Sequence, residues 1–313
     1  MWLTLARRIG GLIIVMLLVA TMVFFLTRLA PGDPAALMLG DQATAEDVAR
    51  LRAVYGLDKP VLVQFGLWLK EVASGNLGQS IFLQRPVTQA LAERAEPTFF
   101  LTLFSVSIAA LIGIPAGVAS AVWRGRVVDQ IVSGLAMLAA NVPSFWLGLI
   151  FIQLFAVRLG WFPVAGYGDP GAPLADRLGH LVLPASVLGL VNSALITRFT
   201  RASMLDVLNE DYVRTARSKG VSEARVVLRH AFGNALIPIV TVVGLTAALL
   251  VGGAIVTETV FGLPGVGNLV VSAVLRRDYP VIQGALIVVA GVYVLINLAI
   301  DVIYTLVDPR VRT

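Results

Sequence analysis

Residues Ile9 to Thr27 read IGGLIIVMLLVATMVFFLT, a run without a single charged side chain. A hydrocarbon core about 30 Å thick is crossed by about 20 helical residues, because in lipid each backbone donor and acceptor must be paired within its own segment. Arg7 and Arg8 precede the run, as basic residues precede the apolar core of a secretory signal. That core is only about 7 to 15 residues long and ends at a small-x-small cleavage site. Here the run continues through Phe24 and Phe25 to Arg28 and Pro31, so it reads as an uncleaved first transmembrane helix.

Five further segments meet the same length test, approximately Thr98 to Trp123, Gln130 to Val157, Leu181 to Phe199, Ala235 to Thr257 and Gln283 to Leu306. The composition of the 313 residues agrees, with 58% hydrophobic and 14% charged against roughly 25% charged in soluble domains. Short cytoplasmic flanks favour Lys and Arg. With the N-terminus inside, those flanks hold Arg7 and Arg8, Arg124 and Arg126, seven basic residues from Arg198 to Arg229, and Arg310 and Arg312. The long loop from Ala30 to Pro97 has eight acidic and six basic residues, the balance of an outer loop, so both termini are expected in the cytoplasm. The net charge of +5 does not point to nucleic acid, since the cations are dispersed and no aromatic residues interleave with them. With no Cys and only His180 and His230, disulfides, Cys-based zinc sites and thiol nucleophiles are excluded.

The outer loop carries its own helical pattern. Thr44 and Asp47 form a capping-box spacing, and Val48, Leu51, Val54 and Tyr55 keep one face until Gly56. A second helix has Pro60 in its first turn, a stripe of Phe65, Trp68, Leu69 and Val72, and Gly75 after its end. A pair resting on the bilayer interface and a pair docking a partner both fit this pattern.

The long cytoplasmic connection reads TRASMLDVLNEDYVRTARSKGVSEARVVLRHAFGNALIP from Thr200 to Pro238. Leu205, Leu208, Tyr212 and Ala216 recur at helical spacing until Gly220, and Ser222 can cap a new helix with the apolar face Ala224, Val227, Leu228 and Ala231. Ala216 and Gly220 are four apart, a spacing that puts two small residues on one helical face where another surface can approach. Arg214, Arg217 and Lys219 surround them with positive charge. A plain helix stop amid ordinary inside-facing cations fits the same residues.

The stretch from Asp211 to Pro238 resembles the cytoplasmic coupling loop of ABC importer permeases, in the form used by the dipeptide, oligopeptide and nickel family. Arg214, Thr215 and Ala216 stand where the general permease signature has Glu-Ala-Ala, a departure the peptide branch shares. LAPGDP (Leu29 to Pro34), YGLDKP (Tyr55 to Pro60), NVPSFWLG (Asn141 to Gly148), ETVFGLPGVG (Glu258 to Gly267) and DPRVR (Asp308 to Arg312) are similar to that family as well. The likeness therefore covers nearly the whole chain.

It implies an all-α, six-span membrane protein with a type I importer permease core in 98–313 and an added span and outer loop in 1–97. It implies two separate ATP-binding subunits, which use ATP and Mg, one of them gripping Asp211, Tyr212, Arg214, Thr215, Ala216, Arg217, Lys219 and Gly220 in a coupling loop over 200–234. A second permease would complete the pathway, and a periplasmic or lipid-anchored binding protein would deliver cargo. The gripped helix is expected to act as a lever continuous with the fourth span. No G-x-x-x-x-G-K-[ST] loop is present, so the chain is expected to bind no nucleotide or other cofactor and no metal, and to be no enzyme.

Polar residues inside spans mark substrate routes, and Gln153, Asn192 and Asn297 are the candidates; interhelical hydrogen bonding is the plainer reading of each amide. Asp301 and Arg28 lie near span ends and can snorkel. Gly113, Pro115, Gly117 and Pro143 either bend helices around a pore or pack them closely. In the turn-rich segment after the fifth span, Glu258, Phe261 and Pro264 are candidates for a periplasmic gate; an interfacial anchor with Phe261 and Leu263 in lipid is the alternative. An ion-driven secondary transporter would want intramembrane carboxylates and internal repeats, and neither is evident. Dipeptides, oligopeptides, nickel complexes and other solutes remain open as cargo.

Overall fold

A computed structural model describes residues 2–29, 35–36, 44–54 and 56–307. The motif residues Ala30 to Pro34, Tyr55 and Asp308 to Arg312 lie outside these. The described residues are helical in nearly every ordered stretch, and five helices are long and apolar enough to cross a membrane: Gly10–Leu29, Val87–Val122, Val182–Leu208, Glu223–Gly252 and Tyr279–Ile303.

The sixth crossing is not the single span expected over Gln130 to Val157. Val127–Asn141 and Ser144–Arg158 meet at 98°. Pro143 has no N–H to donate and forces the residue before it out of the helical region; Val142 accordingly sits at φ −79°, ψ 123°. The second span also begins earlier than expected, at Val87 rather than Thr98, because its first turns are polar and escape a hydropathy reading.

We number the helices α1 (Trp2–Leu29), α2 (Ala45–Val54), α3 (Val61–Ala73), α4 (Val87–Val122), α5 (Val127–Asn141), α6 (Ser144–Phe151), α7 (Leu174–Gly179), α8 (Val182–Leu208), α9 (Asp211–Ser218), α10 (Glu223–Arg225), α11 (Phe232–Gly253), α12 (Ile255–Val260), α13 (Val266–Leu275) and α14 (Tyr279–Val307). They fall into two compact units, residues 1–96 with 265–294 and residues 97–264 with 295–313.

In the first unit the capping box at Thr44 forms as read. The Asp47 N–H donates to Thr44 Oγ1 at 3.2 Å and the Thr44 N–H to Asp47 Oδ2 at 3.3 Å. The acceptor duty of the Asp47 carboxylate lowers its pKa. Pro60 stands one position before α3, at its N-cap, and Gly75 follows the helix at φ +86°. The aromatic stripe of α3 packs on α1, with the Phe24 ring 5.2 Å from Phe65 and 5.3 Å from Trp68. Leu62 and Val63 stay exposed in its first turn. Buried Asp278 locks the turn before α4 to the turn before α14: Ser80 Oγ donates a short hydrogen bond to it, and the N–H groups of Ile81 and Phe82 donate at 3.2 and 3.1 Å.

In the second unit α8 is the central column, with Leu183, Ala185, Val187, Leu188, Ala194 and Ile196 all buried. Glycines let α4 lie against it. A Cβ on Gly117 would stand 2.6 Å from the Thr197 carbonyl oxygen, and one on Gly113 2.8 Å from that of Ser193. These two are packing devices, whereas Pro143 supplies the bend.

Candidate functional site

The connection between α8 and α11 holds eight of the residues singled out above. α8 ends at Leu208, and α9 starts afresh at Asp211 after a break at Asn209 and Glu210, where Glu210 turns extended at ψ 146°. The expected unbroken lever is therefore two helices. Asn and Asp residues compete with helical hydrogen bonding through their side chains, and Asn209 does so by donating to the Leu205 carbonyl at 2.8 Å.

α9 is anchored by one buried side chain and by the Tyr212 hydroxyl, which donates to the His230 carbonyl at 3.4 Å. Val213 is fully buried, and the helix lies against the 226–231 segment. Asp211, Tyr212, Arg214, Thr215, Arg217 and Lys219 are exposed, and Ala216 is half-buried. Arg217 makes a two-pronged pair with Glu223, Nε to Oε2 at 3.1 Å and Nη2 to Oε1 at 2.7 Å, which raises the Arg217 pKa through that hydrogen bonding.

Gly220 is not on the same helical face as Ala216, because the helix ends before it. It sits at φ +76°, its N–H donates to the Arg217 carbonyl at 2.9 Å, and the Val221 N–H donates to the Ala216 carbonyl at 3.2 Å. This double cap needs a left-handed residue, and glycine adopts that conformation without a Cβ clash. A Cβ there would touch nothing among the described residues. Gly220 is thus fixed by backbone geometry, and the space above it is open.

Ser222 occupies the N-cap of α10, but its hydroxyl caps no N–H. Beyond it the chain turns π-helical over Val226–Ala231. That wider turn shifts the apolar face: Val226, Val227 and Ala231 are buried, while Leu228, expected on that face, is 66% exposed.

The segment after the fifth span behaves in the opposite way. Phe261 and Leu263 are 2% and 1% exposed, in one cluster with Leu101, Tyr167, Leu181 and Leu250, so the lipid-anchor alternative is overturned. Gly148 on α6 makes room for the Phe261 ring, and the Phe261 carbonyl accepts from the Gly166 N–H at 2.8 Å. Glu258 is fully buried and accepts from Thr98 Oγ1 at 2.7 Å. Pro264 is half-buried.

The three amide candidates differ in setting. Gln153 is exposed in a π-helical stretch, Asn192 donates to the Leu188 carbonyl of its own helix at 2.8 Å, and Asn297 is half-buried on α14. A cluster missed in the sequence lies elsewhere. Arg201 forks onto Asp129, Nε to Oδ1 at 2.7 Å and Nη2 to Oδ2 at 2.8 Å, while Ser120 Oγ and the Gly125 N–H donate to the same carboxylate. This pairing ties α4, α5 and α8 together. An acidic residue in the first turn of an apolar helix, among flanks chosen for positive charge, was the available signal. Among the described residues no group of three or more His, Asp or Glu side chains could hold a metal ion.

Residues 113–313 match the family of binding-protein-dependent transport system inner membrane components, and residues 1–102 match the N-terminal family of the same systems. The chain belongs to this family. A relative from Brucella abortus that carries the name of a peptide transport system permease is 47% identical over 310 residues, 98% of each chain. The glutathione transport system permease protein GsiC of Salmonella choleraesuis is 44% identical over 98% of this chain and 97% of its own. The inward-facing MetNI methionine ABC transporter shares the fold, with a TM-score of 0.59 and 20% identity over 70% of this chain and 97% of that one. The chain is a multi-pass permease subunit of an ABC importer, and ATP hydrolysis belongs to separate subunits. The secondary-transporter alternative falls with that assignment.

Proposed function

We propose that this permease imports short peptides, and that α9 with Gly220 is the seat of an ATP-binding subunit. The observation that carries the seat is the helix itself: one buried anchor, Val213, six exposed polar side chains, and an open left-handed glycine at its end. The peptide cargo is supported by the names of the relatives at 44–47% identity. In this reading both termini are cytoplasmic, a second permease completes the pathway, two ATP-binding subunits carry nucleotide and Mg, and a periplasmic or lipid-anchored binding protein delivers the peptide. Since α9 is separated from α8 by Asn209 and Glu210, force enters mainly through α10 into the fifth span, and α9 rocks with the 226–231 segment. The Glu258 to Pro264 turn serves as the outer gate, and Gln153, Asn192 and Asn297 are offered as polar points along the route.

The test uses the assembled transporter in vesicles, with ATP hydrolysis and peptide uptake measured together. Gly220→Leu and Ala216→Trp are expected to insert normally, keep hydrolysis and lose uptake. Gly220→Asn, which tolerates the left-handed region, is expected to keep most of it. Normal uptake in both bulky variants sinks the seat.

A further inference from the structure

α5 meets three surroundings. Asp129 and Ala136 are buried, and along that side the helix packs on α8. The rest of its surface is exposed and divides in two. Val127, Ile131, Leu135 and Leu138, three and four residues apart, are 56% to 67% exposed and wholly aliphatic, which suits a face turned to lipid. Each next residue along the chain is turned by about 100°, and there the surface changes. Gln130, Ser133, Gly134, Met137 and Asn141 are exposed as well, but they present two carboxamides, a hydroxyl and a glycine where an added Cβ meets nothing within 4 Å. Amides and hydroxyls turned to hydrocarbon are costly, and in spans they face a cavity or another chain.

The end of this polar side coincides with the break in the span. The 15 residues of α5 rise about 22 Å at 1.5 Å each, less than a hydrocarbon core of about 30 Å. Counted from the flanking Arg126, the break at Val142 and Pro143 therefore falls within hydrocarbon depth. Pro143 has no N–H for the Ala139 carbonyl, and α6 starts afresh after the 98° turn. Interrupted backbone at that depth persists only where protein buries it or water reaches it. This chain does not bury it: Asn141 and Pro143 are exposed, and Phe145 and Trp146 are 47% and 52% exposed. Asn141 Nδ2 donates to the Met137 carbonyl at 2.7 Å, which leaves its amide oxygen as an acceptor.

We infer that the side of α5 carrying Gln130, Ser133, Gly134, Met137 and Asn141 is a water-lined wall of the translocation route. Carboxamides suit passing main-chain amides, since each offers a donor and an acceptor without a charge that would hold the cargo in place. Met137 is apolar and flexible, so it accommodates varied side chains. The cargo chemistry rests on the peptide-import reading above, whereas the wall needs only that solute crosses here.

The chain has no Cys, so one introduced thiol reports one position. The test treats the assembled transporter in vesicles, on both faces, with sulfonatoethyl methanethiosulfonate, an anionic reagent that arrives through water and is attacked by thiolate. Gly134→Cys, Met137→Cys and Asn141→Cys are compared with Leu135→Cys and Leu138→Cys, which lie at matching depth on the aliphatic side. Labelling of this chain, read by mass spectrometry, is expected to be at least tenfold faster at the first three. Label at Met137→Cys or Asn141→Cys is expected to cut peptide uptake at least tenfold relative to the same variant before labelling, while the two Leu variants keep theirs. Equal rates on both sides overturn the wall, and so does slow labelling at Met137→Cys and Asn141→Cys, the result if lipid or the second permease covers them. Fast labelling that leaves uptake unchanged overturns it too, because water then reaches a surface off the route. Label that blocks uptake of another solute, in a transporter that moves no peptide, upholds the wall and refutes the peptide cargo.

Discussion

The helix Asp211–Ser218 and the turn Glu258 to Gly267 read alike in sequence, as short motifs of the same family closed by a glycine. In space they are opposites. The first buries Val213 and leaves its polar side chains in solvent, and an added Cβ on Gly220 meets nothing among the described residues. The second buries Glu258, Phe261 and Leu263 almost completely, and Gly148 is spent on making room for it. A motif therefore says that a turn of given geometry is required, while burial says whether the turn is offered to a partner or built into the core.

The sharpest break of that comparison is Phe261→Ala, which empties a core site and is expected to cost about 3–5 kcal/mol, read as a large drop in thermal stability in detergent. Leu228→Ala, as apolar but exposed, is expected to stay within about 0.5 kcal/mol; a large loss there would mean that this surface is already covered. Next in size is Asp129→Ala, which strands Arg201 and is expected to cost about 3 kcal/mol. Adding Arg201→Ala should return part of it, and strictly additive losses would show that the fork carries no coupling energy. Gly117→Ala is expected to cost about 1–3 kcal/mol by forcing α4 from α8, whereas Gly134, where an added Cβ meets nothing within 4 Å, should tolerate the same change and, lying inside a helix, even gain about 0.5–1 kcal/mol. Gly220→Ala is expected to cost only about 1 kcal/mol, from left-handed strain alone; a cost several times larger would mean that the space above Gly220 is not open.

What the sequence determined by itself is whatever depends on a continuous stretch of chain. Apolar length marks five spans, the Thr44 and Asp47 spacing starts α2, and Gly220 ends α9, because hydropathy, caps and left-handed glycines act within a few residues. The break at Val142 and Pro143 was also local, but a hydropathy window averages over it, just as it missed the polar first turns of α4. Tertiary structure alone decided what depends on residues far apart: Arg201 on Asp129, Asp278 under Ser80, Thr98 on Glu258, and the carbonyls that Gly113 and Gly117 admit. Each pairing joins segments separated by dozens to hundreds of residues. Its free energy comes from desolvated hydrogen bonds and close backbone approach, which exist only once the helices are side by side.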